Sequence, residues 1–279
     1  MKISGDAGIA STSKAGYTPT KSQPHGVPIL NYDLAPHLTN FPYDPEKVTA
    51  RIVPGEDGTQ KIQMRIDLGL LQMEPTGRPD GSRPRECDSL LQYYLRQQTT
   101  EKPGSWKLNT RDCAELQQEA VQYYYRYLSC FALSRYEQVV SDTTHNYTLI
   151  ELVASHAENE ELAWEFLQYK PYVIMMNTRA RVELSLQNGD YPTAEDETRE
   201  GLKKINEFWE KESDASWADD CPESSTLRQL LKKLEKRETP DRSEIDQLRK
   251  ALDKAVQTED FEGAAEIRDQ LMALEQRHA

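Results

Sequence analysis

Between Val48 and Met73 apolar and polar residues alternate with a period of two, and beyond Cys87 the period lengthens to that of a helix. Val48, Ala50 and Ile52 point one way, and Gly55-Glu56-Asp57-Gly58 supplies turn residues. Ile62, Met64, Ile66 and Leu68 then alternate with Lys61, Gln63, Arg65 and Asp67. This predicts a β-hairpin with one buried face, over residues 46–81. Gly69 interrupts the second strand, and Leu71 and Met73 resume the apolar phase one residue later, as a bulge would produce. Gly77-Arg78-Pro79-Asp80-Gly81 then ends the element in a turn. A two-stranded ribbon is marginal alone in water, so it must pack on the helices that follow.

The helical pattern opens with Leu90, Leu91, Tyr94 and Leu95 and continues through Leu116, Ala120, Tyr123, Tyr124, Tyr127, Leu128 and Phe131. Further stripes run through Leu149 to Val153, Leu162 to Leu167 and Val173 to Leu186. Asn188-Gly189-Asp190-Tyr191 breaks the last of these, and Ala194 to Trp209 resumes it. Helix, Gly-Asp-Tyr turn, then helix with a small residue three positions after the Tyr resembles one tetratricopeptide (TPR) hairpin. No second copy follows at the repeat distance, so the expectation is a TPR-like helix pair within a body of residues 82–222. Asp219 to Ser225 is a polar break, and residues 223–240 are predicted to be a connecting amphipathic helix with Leu227, Leu230, Leu231 and Leu234 on one stripe. Pro240 closes that helix and suits the start of the next.

Residues 241–279 are predicted to be an antiparallel helical hairpin. Ile245, Leu248, Leu252, Ala255 and Val256 share a face at spacings of three and four, and Ser243 and Asp246 have capping-box spacing. Thr258-Glu259-Asp260 supplies the turn, with Asp260 an N-cap for a second helix from Phe261 to Leu274. Ala264 and Ala265 let the helices approach, and Phe261 covers the turn end. Two helices of about 15 residues share too little core to be stable alone. The apolar face, with Ile267, Leu271 and Leu274 beside Ala264, Ala265 and Met272, is also wider than one partner helix covers. It must meet a second protein, a second copy, or this chain's own Leu227–Leu234 stripe.

The run Asp260-Phe261-Glu262-Gly263-Ala264-Ala265-Glu266-Ile267-Arg268-Asp269, with Leu248, Leu252, Ala255 and Leu274, resembles the UVR motif of bacterial UvrB and UvrC. Gly263 departs from the usual helix-favouring residue and should cost about 0.5–1 kcal/mol of helix stability. In that family such hairpins pair with a second hairpin, and they also occur in the Clp ATPase ClpC and the adaptor McsA. The resemblance therefore implies a bacterial, protein-docking hairpin whose partner is another UVR-type hairpin, a Clp-type ATPase or a second copy. It implies partner contact through Leu248, Leu252, Phe261, Ala264, Ala265, Ile267, Arg268, Leu271 and Leu274. The chain lacks the GxxxxGK[ST] loop of a helicase and the CxxC zinc pairs of McsA-like proteins.

Residues 1–45, with Pro19, Pro24, Pro28, Pro36, Pro42 and Pro45, show no apolar period and are expected to be a flexible arm. Its apolar stretch from Val27 to Tyr32 is the part suited to lie on the body. The fold class predicted is thus mainly α, with a β-hairpin on a TPR-like body and a terminal helical hairpin.

Charge and chemistry narrow the function. The 279 residues carry a net charge of −13, concentrated in residues 151–222 with 17 acidic against 7 basic residues. That argues against a protein that grips phosphate backbones. No apolar run or leader segment suggests a membrane or secretion, so a cytoplasmic protein is expected. Cys87, Cys113, Cys130 and Cys221 have no metal-ligand spacing and read as buried thiols. His145 and His156 lie eleven apart on one helix face, but Glu151 between them falls on the other side, so no metal site is expected. The Tyr123, Tyr124, Tyr125 and Tyr127 cluster reads as split between core and rim. Glu195, Asp196 and Glu197 sit at a helix start, where the dipole favours them. No enzyme site and no cofactor emerge, and the expected function is a non-catalytic adaptor. The alternative is a DNA-repair accessory factor that touches DNA.

Overall fold

The structure is a computed structural model that describes residues 33–100, 106–212, 221–236 and 261–276, with Leu248, Ala251, Leu252, Lys254 and Ala255. A short helix α1 (Ala35–Leu38) precedes strands β1 (Ala50–Pro54), β2 (Gln60–Ile66) and β3 (Gly69–Met73). Then come α2 (Leu90–Thr100), α3 (Thr110–Ala132), α4 (Tyr136–His156), α5 (Glu160–Leu167), α6 (Lys170–Gln187), α7 (Tyr191–Glu212), α8 (Pro222–Glu235) and α9 (Phe261–Gln276). The protein is mainly α, with one small antiparallel sheet.

The expected hairpin is a three-stranded meander, in order β1-β2-β3. Gly69 opens a third strand and does not bulge the second. Asp67 and Leu68 form the turn, with Ile66 opposite Gly69 and Ile62 opposite Met73. A reversal of direction shifts the apolar phase as a bulge does, and the exposed Leu68 marks the tip. Ile62, Met64 and Met73 are buried against Tyr127 and Cys130 of α3, which supplies the support the sheet needs.

The end of the expected flexible arm is also anchored. Phe41 is buried, Arg65 Nε donates to its carbonyl at 2.8 Å, and the Arg51 guanidinium lies 4.1 Å from its ring centroid. One aromatic with two arginines suffices to fix residues 33–45 where composition alone predicts no order. The Val27–Tyr32 stretch lies outside the described residues.

Helices α3, α4, α6, α7 and α8 each pack on the next in that order. Leu90, Leu116, Leu149, Val153 and Phe166 close one core around α2 to α5. Val139, Ile174, Ile205 and Leu227 close a second beneath the sheet. The expected connecting helix, α8, is thus part of the body: Leu227 is enclosed in the second core, and Leu234 packs with Val182 and Ala194. Its N-terminus is capped by Cys221, whose Sγ accepts from Ser224 N.

The turn Asn188–Asp190 joins α6 to α7, with Gly189 at φ 74°, a backbone region open to glycine. Ala194, three residues past Tyr191, is fully buried. Close approach of the pair depends on Gly201, where a Cβ would stand 2.9 Å from Cβ of Thr178. Helix propensity alone favours alanine at such a position by about 0.5–1 kcal/mol. Overpacking costs about 1–3 kcal/mol and should win. Gly201→Ala is therefore expected to lower the melting temperature, read by circular dichroism, and a rise would show that the two helices separate freely.

Two buried ionic links tie the turn after β3 to the helices. Arg126 forms a bidentate pair with Asp142, with Nε to Oδ2 at 2.8 Å and Nη2 to Oδ1 at 2.7 Å. Its Nη1 donates to the carbonyls of Glu74 (3.0 Å) and Gly77 (2.7 Å). Glu119, fully buried on α3, accepts from Leu90 N at 2.7 Å and Leu91 N at 3.0 Å. It therefore caps α2 from a neighbouring helix, while Ser89 Oγ takes the Gln92 N–H. Arg78 and His145 also face this carboxylate, at 3.4 and 3.2 Å.

Burial alone would raise the Glu119 pKa, but the His145 contact and the two backbone donors outweigh it and hold it below the ordinary 4.5. A depressed folded pKa contributes stability above the unfolded value and loses it as pH falls through the folded one. The acid limb of stability, below about pH 4.5, is expected to flatten in Glu119→Gln. The variant should also melt lower at neutral pH, since an amide turns one donor toward the backbone N–H groups. Melting temperatures of both proteins across pH 3–7 check this, and parallel acid limbs would contradict it.

Candidate functional site

The described part of the terminal segment consists of α9 and five positions before it. Ala264 and Leu271, two turns apart on α9, are buried, as is Ala255 on the preceding helix. At about 100° per residue, Ile267 sits ~60° to one side of Ala264. It is half-buried. On the other side Ala265 is half-buried and Met272 exposed, and Arg268 and Asp269 are exposed and paired with each other at 3.0 Å. Leu248 and Leu252 are half-buried on the first helix.

The expected contact residues therefore divide. Ala264 and Leu271 are buried, Leu248, Leu252, Ala265 and Ile267 are half-buried, and Arg268 is exposed. Phe261 and Leu274 lie within α9, but their side chains are outside the described residues, as are Ser243, Asp246 and the turn Thr258–Asp260. The Leu227–Leu234 stripe is not available as a cover for this face, because α6 and α7 already bury its two anchors.

The other motifs resolve into structural partners. His145 stacks on Tyr123 with centroids 3.6 Å apart. His156 faces Trp106 and approaches the Leu152 carbonyl. Glu151 pairs with Lys170. Among the described residues no group of three His, Cys, Asp or Glu side chains is placed to hold a metal ion. Tyr123 and Tyr127 are buried while Tyr124 and Tyr125 are half-buried. Glu195 and Asp196 pair with Arg199, which also reaches Glu235 on α8, and Glu197 pairs with Arg181. All four cysteines are buried and none is in a disulfide. Burial raises the Cys113 thiol to about 11 and the Cys130 thiol to about 12, so both stay protonated at neutral pH. No helix among the described residues is long and apolar enough to cross a membrane.

The buried charges escaped the sequence reading although a signal was present. Glu119 and Arg126 fall on the same α3 stripe as Leu116, Tyr123, Tyr127 and Cys130, and charged residues at core positions of an apolar stripe are there to meet buried partners.

Fold and terminal segment together define a mainly α protein with a small antiparallel sheet and a helical C-terminus. Residues 242–277 match the family described as the UvrB/uvrC motif, UVR, so the chain carries a UVR motif. No curated protein and no solved structure matches it.

Proposed function

We propose that this protein is a non-catalytic adaptor of the cytoplasm that docks a partner protein through the hairpin of residues 241–279. The observation that carries this is the half-buried Ile267 beside the buried Ala264 and Leu271 on α9, with the chain's own Leu227–Leu234 stripe already committed to the body. The partner is a helical surface of the same kind: another UVR-type hairpin, a Clp-type ATPase or a second copy. The helical body serves a second partner.

Direct DNA binding is the competing reading, and the charge distribution speaks against it. Residues 223–279 carry 13 acidic and 11 basic side chains, close to neutral, beside the strongly acidic stretch before them. Capture from the native cell with and without residues 241–279, paired with a gel-shift titration at low salt, tests the proposal. A partner lost on truncation and no DNA shift are expected, and tight DNA binding would overturn the adaptor reading.

A further inference from the structure

Between α3 and the junction of α5 with α6, over a floor from α4, lies a half-open groove of about 370 Å³. Val121 and Tyr124 line one wall, Phe166, Tyr169 and Tyr172 the other, and Ile150 the floor. Tyr124 and Tyr172 approach each other across it, with ring centroids 6.2 Å apart. The rims are apolar as well: Val121 is 43% and Tyr169 56% exposed, unlike most large apolar side chains among the described residues. Apolar surface gathered at a concave site marks a place where another segment packs. An α-helix with its side chains is about 10–12 Å wide, so a groove of this size suits the side chains of an extended segment.

One end of the groove is acidic. Residues 157–169 hold Glu158, Glu160, Glu161 and Glu165 and no lysine or arginine, and none of the four forms an ion pair among the described residues. Glu158 and Glu165 both lie close enough to Cys113 of α3 to help raise its thiol. Glu160 and Glu161 gain from the start of α5, but Glu165 stands in its last turn, where the helix dipole disfavours a carboxylate. A cation brought to this end is therefore stabilised. Residues 14–32, which precede the described part of the chain, have the matching character. They carry Lys14 and Lys21 and no acidic residue, in a protein of net charge −13. They also hold the apolar stretch Val27-Pro28-Ile29-Leu30, and Pro19, Pro24 and Pro28 suit an extended path. An extended chain spans roughly 3.3 Å per residue, so these nineteen residues reach about 60 Å from Asp33. A body of this size is only about 40 Å across.

We propose that residues 14–32 of the same chain dock in this groove, with the stretch Val27–Leu30 against Tyr124, Tyr169 and Tyr172 and with Lys21 toward Glu161 and Glu165. The segment covers apolar surface that otherwise invites association, and its lysine offsets the glutamates at the acidic end.

Limited trypsin digestion of the full chain, followed by mass spectrometry, tests this through the bonds after Lys2 and Lys21. Docking slows the cut after Lys21, and the cut after Lys2, outside the segment, is the internal reference. Tyr169→Asp changes an exposed position that precedes α6 and should speed the Lys21 cut on the order of tenfold, the effect of losing an apolar anchor. The double variant Glu161→Gln with Glu165→Gln should speed it by a smaller factor, and added salt should speed it more in the wild-type protein than in that variant. Thermal melts establish that both variants are folded. The same ratio of the two cuts in the wild-type protein and in both folded variants overturns the proposal. Protection of Lys21 that falls on dilution also overturns it, because the occupant is then a second copy.

Discussion

Arg126→Met is expected to destabilise the protein by about 3–5 kcal/mol, a large part of the roughly 5–15 kcal/mol that holds a typical domain folded. Methionine keeps the apolar stem and removes the guanidinium, so the buried pair and its hydrogen bonds are lost together. Asp142, 1% exposed, is left without its cation and retains the Gln138 Nε2 hydrogen bond at 2.9 Å, while the carbonyls of Glu74 and Gly77 lose their shared donor. The turn after β3 then loses one of its two buried ionic links to the helices, with Arg78 to Glu119 remaining. The double variant Arg126→Met with Asp142→Leu removes both charges and should regain most of the stability, because a buried pair is near neutral against apolar side chains. Denaturant titrations of Arg126→Met, Asp142→Leu and the double variant decide it, and additive losses would show that the pair is not coupled.

Leu271→Asp is expected to abolish the terminal hairpin. Leu271 is buried with Ala264, and truncating a buried leucine costs about 2–5 kcal/mol before the desolvation of a carboxylate is added. Two short helices hold no such reserve. The body should be untouched, because its cores close around α2 to α8 without α9. Circular dichroism should show a partial loss of helix with the main melting transition unmoved. A shifted main transition would mean that the hairpin braces the body.

Periodicity made the helices legible, because each buries one stripe. The α6–α7 turn was legible for the same reason as Gly189: glycine marks a positive φ. The motif of residues 242–277 was legible through its extended pattern, and Ala264 and Leu271, seven apart, are both buried. What stayed hidden has a common cause, that partners distant in sequence decide it. Leu71 and Met73 could belong to a bulged strand or a new one, and only pairing with Met64 and Ile62 selects the latter. Phe41 is ordered by arginines from two strands. The α8 stripe reads equally as a connector and as a body helix until α6 and α7 supply its neighbours. Asn146 is one of several polar residues on α4, and its amide is fixed only once α3 supplies the Ala120 carbonyl.

The most direct test of the docking claim is Ile267→Asp in the full chain, measured for helix content by circular dichroism and for partner capture beside the wild-type protein. The flank position predicts an intact hairpin that no longer captures the partner, since docking would desolvate an unpaired carboxylate. Retained capture, or a hairpin as thoroughly unfolded as in Leu271→Asp, would place Ile267 outside any docking face and contradict the account.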